Sequence, residues 1–255
     1  MKVAILGAGA YGCALGGVLL ETGHEVEYYD PIKFNRPLED VVSTADIIIL
    51  AAPSHAVSEL LSQLPQKTPL IIATKGLLSG KMFDGFDDVM VLSGPGFATQ
   101  ITAHQLTHLT ITDERIKQLF NVEYFDFDYT NDILGVLLCG SLKNVYAILA
   151  GYLNLSKNSS DYQQVIDDIV TEMGIVLEAN GAKSDTAELY CGRGDLEISC
   201  SPKSRNYSFG LSLKKDPNSQ PNATIEGLSA IKQIKAGQLI VPSNATYLRK
   251  VLELV

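Results

Sequence analysis

Six residues near the start of the chain, Gly7-Ala8-Gly9-Ala10-Tyr11-Gly12, follow the apolar run Val3-Ala4-Ile5-Leu6 and open a helical pattern. Glycines at these spacings allow a tight turn, close approach of backbone amides to an anion, and close packing of helix on strand. The helix N-terminus then turns its positive dipole end toward that anion. Asp30 closes the next strand-like run about 20 residues later, where a carboxylate can accept a ribose hydroxyl. The spacing therefore points to dinucleotide binding through Gly7, Gly9 and Gly12, with Asp30 on the adenine ribose. A carboxylate at that point repels a 2′-phosphate, so NAD is expected over NADP. The plainer alternatives are a purely structural glycine turn and an Asp30 that caps a turn before Pro31.

Three further groups carry reactive side chains. Lys143 sits beside Asn144, just after Ser141, in a long apolar run. It is either a lysine snorkelling from a helix edge or a desolvated ammonium with a lowered pKa, suited to exchanging a proton with a substrate oxygen. Lys75, in Ala73-Thr74-Lys75-Gly76, follows an apolar strand, and the carboxyl ends of strands line the ligand crevice of open α/β sheets. Its alternative is an ordinary solvated lysine. Gly192-Arg193-Gly194-Asp195 and Ser204-Arg205-Asn206 read as a polar loop able to bind hydroxyls and a phosphate, or equally as a solvated connection between helices. The stretch 76–81, Gly-Leu-Leu-Ser-Gly-Lys, is followed by Met82 and lacks the Ser or Thr that a P-loop uses for magnesium. Cys13, Cys139, Cys191 and Cys200 form no CxxC pair and the four histidines no HExxH, so no metal site is expected.

Of 255 residues, 20 are Lys or Arg and 29 Asp or Glu, a net charge of -9, and 46% are hydrophobic. This is globular composition, long enough for one large domain or two small ones at about 100–200 residues each. The acidic balance argues against nucleic acid, which demands a basic face, and leaves room for a small anion in a local basic pocket. Glycines interrupt the N-terminal apolar run that imitates a signal peptide, and Lys143 and Asn144 interrupt the apolar run 133–150. The reading is a soluble, cytoplasmic protein without a membrane span. The sequons at Asn154, Asn158, Asn206, Asn222 and Asn244 are then without consequence.

The elements that must position these residues alternate in the first half. Strands are expected at 2–6, 25–29, 46–51, 70–73, 90–92, 106–111 and 122–127, and helices at 11–22, 55–64 and 113–120. Several strands are continuous Val, Ile and Leu, as in a sheet covered on both faces. The pattern predicts an α/β fold: an N-terminal Rossmann-type, doubly wound, mostly parallel sheet. From Asp132 onward the pattern turns helical, with helices expected over 132–152, 160–179, 225–236 and 245–254. An all-helical C-terminal domain follows, giving domains 1–130 and 131–255.

Taken in order, the segments resemble the bacterial NAD(P)-dependent glycerol-3-phosphate dehydrogenase family. The matching stretches are GAGAYGCALG (7–16), APSHAV (52–57), ATKG (73–76), LSGPGFA (92–98), GVLLCGSLKNVYAILAG (135–151), CGRGDLEISC (191–200), SRNYSFG (204–210) and IEG (225–227). They are collinear and span nearly the whole chain. The resemblance implies reversible reduction of dihydroxyacetone phosphate to sn-glycerol 3-phosphate, feeding glycerophospholipid synthesis. It implies Lys143 as the catalytic acid/base. Lys75, Gly94, Lys143, Asp195, Ser204, Arg205 and Asn206 would contact substrate. Ala10, Tyr11, Lys75, Ala98, Arg205 and Glu226 would contact the NAD or NADP cofactor.

The chain also departs from that family. It is shorter, with little between Asp30 and the third strand and an abbreviated stretch after Lys75. Gly96 stands where the family has Ser or Thr, and Asp168 where a basic residue is expected. Trimmed sheet edges suggest a covering partner subunit, hence a homodimer. The alternatives are a reductase of another small carbonyl compound and a paralogue that binds NAD or a sugar phosphate without turnover. Ser204-Arg205-Asn206 favours a phosphorylated substrate, and retained Lys143 and Asp195 favour turnover.

Overall fold

Strand β1 (Lys2–Leu6) is buried from Val3 onward and feeds helix α1 (Ala10–Glu21) through the glycine turn. The following elements are β2 (Glu25–Tyr29), α2 (Leu38–Val42), β3 (Ile47–Leu50), α3 (Val57–Leu61), β4 (Leu70–Ile72) and β5 (Val89–Ser93). Next come α4 (Ala98–Thr102), β6 (Thr107–Ile111), α5 (Glu114–Leu119) and β7 (Phe125–Tyr129). They form one sheet in the order β2-β1-β3-β4-β5-β6-β7, parallel except where β5 meets β6. Ile47, Ile48, Ile49 and Leu50 are all buried, as a strand covered on both faces requires. This computed structural model describes every residue except Leu77, Leu78, Asn222 and Ala223; the Asn222 sequon and the centre of the 76–81 stretch lie outside the described residues.

The chain divides into two compact units, Met1–Lys75 with Gly80–Ile133, and Gly76–Ser79 with Leu134–Val255. The second unit is built on α6 (Ile133–Leu153), in which every residue from Gly135 to Gly151 is buried. Around it lie α7 (Tyr162–Ala179), a 3-10 turn (Ser184–Glu188), a π turn (Tyr190–Gly194), α8 (Asp195–Ser199), α9 (Arg205–Lys215), α10 (Glu226–Lys235) and α11 (Thr246–Leu254). Among the described residues it contains no strand. By length and composition α6 could cross a bilayer, but 89% of its apolar window is buried, as in a core helix.

Two glycines allow α6 and α9 to touch along their backbones. A Cβ on Gly151 would stand 1.9 Å from the Tyr207 carbonyl oxygen, and one on Gly210 1.9 Å from the Ile148 carbonyl oxygen. The α11 N-terminus is closed by the buried Glu172 of α7. Its carboxylate accepts from the Tyr247 and Leu248 amides at 2.8 Å each and from Tyr146 Oη at 3.1 Å. Burial and this carboxylate raise the Tyr146 phenol well above its ordinary value.

Several elements differ from expectation. The last strand is Phe125–Tyr129 rather than 122–127, because a turn closed by the Phe125 amide on the Val122 carbonyl precedes it. The helix expected over 55–64 is a 3-10 turn, Ser54–Ala56, continued by the short α3. Helices α2, α4, α8 and α9 were not anticipated. The 192–195 and 204–206 stretches are not a solvated loop: they end the π turn, open α8 and open α9, with Asp195 and Asn206 buried.

Gly210→Ala should therefore cost about 1–3 kcal/mol, the usual cost of overpacking. Gly17→Ala, in a helix with open space around the added carbon, should be neutral or stabilising by up to about 1 kcal/mol. Urea unfolding of the two variants reads the contrast, and equal midpoints would contradict it.

Candidate active site

In the N-terminal unit the glycine turn is held from several sides. Gly7 has a φ of 111°, and a Cβ there would meet the Ala51 and Ala52 backbone at 2.7 Å. A Cβ on Gly12 would lie 2.0 Å from the Gly7 carbonyl oxygen, so α1 starts directly against the turn. A Cβ on Gly9 would meet nothing within 4 Å, and no side chain caps this helix N-terminus. First-turn amides, beginning at Ala10 and Tyr11, thus border open space with the positive end of the helix dipole. That arrangement fits a dinucleotide pyrophosphate.

Asp30 does what its plainer reading expected, and more. Its carboxylate accepts from the Ile32 amide at 3.0 Å and the Lys33 amide at 3.2 Å, capping the turn. It also accepts from the Ala8 amide at 3.1 Å, tying β2 to the glycine turn. Beyond β4, Thr74 Oγ1 donates to the Leu50 and Ala52 carbonyls at 3.1 and 2.9 Å, which fixes the strand end before Lys75. Lys75 Nζ donates to the Gly94 carbonyl at 3.1 Å, so these two candidates meet. Ala98 opens α4 close by in sequence.

In the helical unit Lys143 does not snorkel. Its side chain is 8% exposed, and Nζ lies 2.9 Å from Asp195 Oδ1 and 3.1 Å from Ser199 Oγ. Asp195 is 1% exposed. A buried ammonium needs such a partner, because its desolvation costs several kcal/mol. Asp195 and Ser199 are one helical turn apart in α8 and so share a face. The π turn before α8 aims that face, and Gly192 is required there: a Cβ would stand 2.2 Å from the Ala187 carbonyl oxygen. Burial pushes the neighbouring Cys200 thiol up to about 12, against the lowering effect of the Lys143 charge. It is protonated at neutral pH and does not compete as a base.

Asn206 is tied to the same helix. Its amide nitrogen donates to Asn144 Oδ1 at 2.8 Å, and its oxygen accepts from the Gly227 amide at 2.9 Å. Asn144 Nδ2 donates to Glu226 Oε2 at 3.1 Å. Ser204 is the α9 N-cap, accepting from the Tyr207 amide, and Arg205 is exposed at the first turn. From consecutive positions of α6 the structure therefore pairs Lys143 with Asp195 and Ser199, and joins Asn144 to Asn206 and Glu226. Ser199 and Asn144 were not singled out from sequence as site residues; the i, i+4 spacing of Asp195 and Ser199 would have been the signal for Ser199.

Residues 27–118 match the family described as NAD-dependent glycerol-3-phosphate dehydrogenase N-terminus, and residues 132–242 its C-terminus. The chain is 31% identical to glycerol-3-phosphate dehydrogenase [NAD(P)+] of Pseudomonas syringae pv. syringae, over 91% of this chain and 83% of that one. The chain belongs to the NAD(P)-dependent glycerol-3-phosphate dehydrogenase family. The Leptospira biflexa enzyme of the same name is 29% identical over 93% of this chain and 85% of its own. A crystal structure of glycerol-3-phosphate dehydrogenase from Coxiella burnetii superposes with a TM-score of 0.78 at 25% identity, covering 98% and 94% of the two chains.

Against this dehydrogenase family the departures acquire local causes. Only the five-residue α2 separates β2 from β3. A Cβ on Gly96 would press on Thr107 Cγ2 at 3.0 Å, so the missing hydroxyl goes with a tighter contact to β6. Asp168 accepts from Gln164 Nε2 and Tyr247 Oη at 2.8 and 3.2 Å, joining α7 to α11 where a basic residue was expected.

Asp195→Ala should cost about 3–5 kcal/mol by leaving the ammonium buried and unpaired. Lys143→Met with Asp195→Leu should cost clearly less than the sum of the single changes. Urea unfolding of the four proteins of this cycle measures the coupling, and additive costs would contradict the pair.

Proposed function

We propose that this dehydrogenase interconverts dihydroxyacetone phosphate and sn-glycerol 3-phosphate, residues 1–130 holding the nicotinamide dinucleotide and residues 131–255 the substrate. The observation that supports the reading most is the buried Lys143 ammonium clasped by Asp195 and Ser199. When bound, the reduced nicotinamide supplies the hydride that the substrate C2 carbon accepts. Lys143 Nζ gives a proton to the carbonyl oxygen, so the carbonyl gains one hydride and one proton and becomes a secondary alcohol. In the reverse direction the neutral amine takes that proton back.

Asp195 and Ser199 fix the direction of the Lys143 N–H bonds and prevent its stem from turning toward water. Asn144 and Asn206 join α6 to α9, which holds Arg205 at a constant distance along this unit. Arg205 would take the substrate phosphate through two parallel N–H bonds, and that remote binding energy orients the reacting carbonyl. Gly7, Gly9 and Gly12 would admit the pyrophosphate, with Ala10 and Tyr11 amides facing it. Lys75, Gly94, Ala98, Ser204 and Glu226 complete the proposed contacts. The finer reading adds a homodimer in the cytoplasm whose product serves glycerophospholipid synthesis.

Oxidation of NADH or NADPH dependent on dihydroxyacetone phosphate tests the reading. Lys143→Ala should lower kcat by about 10²–10⁴, whereas Arg205→Ala should act mainly by raising KM for the phosphorylated substrate. A wild-type protein that binds both ligands without turnover would contradict the assignment.

A further inference from the structure

Of the stretch Gly192-Arg193-Gly194-Asp195, the arginine is left without a role by the chemistry at Lys143. Its planar guanidinium would suit a phosphate, but the structure gives it other partners. Arg193 Nη1 donates to Asp167 Oδ1 of α7 at 2.6 Å, and Nε donates to Glu188 Oε2, on the last residue of the 3-10 turn, at 2.7 Å. Two carboxylates neutralise it, which suits a strap better than an anion receptor. What it straps is an unusual piece of backbone. Arg193 belongs to the π turn Tyr190–Gly194, and π turns are rare and frequent at functional sites. On the buried side of this turn Gly192 lies against the Ala187 carbonyl, and Cys191 Sγ stands 3.8 Å from the Thr186 carbonyl oxygen. On the outer side Arg193 ties the turn to α7 and to the 3-10 turn. A single residue, Gly194, separates this guanidinium from Asp195, which is buried and lies 2.9 Å from Lys143 Nζ. Ion pairs to half-exposed carboxylates such as Asp167 and Glu188 add little to stability. Position is another matter, because a misplacement of about 1 Å at a reacting group can cost about 10²-fold in rate.

We propose that Arg193 is a positioning residue for the proton transfer. Its ion pairs to Asp167 and Glu188 hold the π turn, so that Asp195 and Ser199 keep the Lys143 N–H bonds aimed at the substrate oxygen. The proposal rests on the reading of Lys143 as the proton donor. Arg193 acts through Asp195 and has no contact of its own with the reacting atoms.

Steady-state reduction of dihydroxyacetone phosphate by NADH, run in H₂O and in D₂O, tests this on the whole protein. Calorimetric titration with NADH counts the active sites, so that kcat is read per folded molecule. Arg193→Met should lower that kcat about five- to twentyfold and leave KM for dihydroxyacetone phosphate and NADH affinity within about twofold. It should also raise the solvent isotope effect on kcat, as slowed proton delivery requires. Arg193→Lys, which can keep one of the two ion pairs, should fall between Met and wild type. In a Lys143→Ala background Arg193→Met should change the residual rate by less than about twofold, because the group it positions is gone. A kcat for Arg193→Met equal to wild type, or an unchanged isotope effect, would overturn the proposal. So would the same fold-loss in the Lys143→Ala background, or a loss that vanishes once active sites are counted, since both mark a merely structural role. A wild type that binds both ligands without turnover would instead overturn the dehydrogenase reading, and the proposal with it.

Discussion

A cation inside an apolar helix is the constraint from which the helical unit is built. Lys143 lies in the middle of α6, where every neighbour along the helix is buried, and the carboxylate that neutralises it comes from 52 residues further along the chain. Bringing Asp195 to that point requires the π turn, the close packing at Gly192, and a second donor-acceptor group in Ser199 one turn on. An ion pair of this kind is a poor choice for stability alone, since apolar residues of similar volume commonly serve as well or better. The proposed role gives it a use: an ammonium of fixed direction, shielded from water, would be a proton donor that need not reorganise when the carbonyl oxygen gains charge.

The N-terminal unit meets a different demand, room for an anion against a backbone. Gly7 and Gly12 are glycine because side chains there would strike the Ala51 backbone and the turn itself; Gly9 faces open space. Asp30 ties the end of β2 to Ala8, so the loop that would contact a ribose and the loop that would contact a pyrophosphate are braced by one carboxylate. The Lys75 bond to the Gly94 carbonyl braces the ends of two further segments of this unit in the same way.

Much of this was legible from residue order. Strands β3 and β4 are short continuous runs of Ile and Leu, and β1 and β5 are apolar over most of their length; burial on both faces leaves that composition little other use. Strand β7 was displaced in the reading because Val122 and Tyr124 look strand-like, although a turn occupies them. Helix α9 was invisible for the opposite reason. Arg205-Asn206-Tyr207-Ser208-Phe209-Gly210 has weak helix propensity, and it is tertiary packing of Gly210 on α6 and the Tyr207 Oη bond to the Leu155 carbonyl at 2.6 Å that fix it. The role of Lys143 was open for the same kind of reason: a snorkelling lysine and a buried one differ only in a partner that local sequence does not reveal. Gly96, a lost hydroxyl from sequence, has a Cβ position already crowded by Thr107.

Chemical rescue tests most directly whether Lys143 supplies the proton rather than merely filling space. Lys143→Ala, shown by calorimetry to bind dinucleotide and dihydroxyacetone phosphate, would be assayed with increasing concentrations of methylamine and ethylamine. The account predicts a turnover rate that rises with amine concentration and depends on the protonated amine. A variant that binds both ligands yet turns over at a rate indifferent to any amine, or as fast as wild type without one, would contradict it.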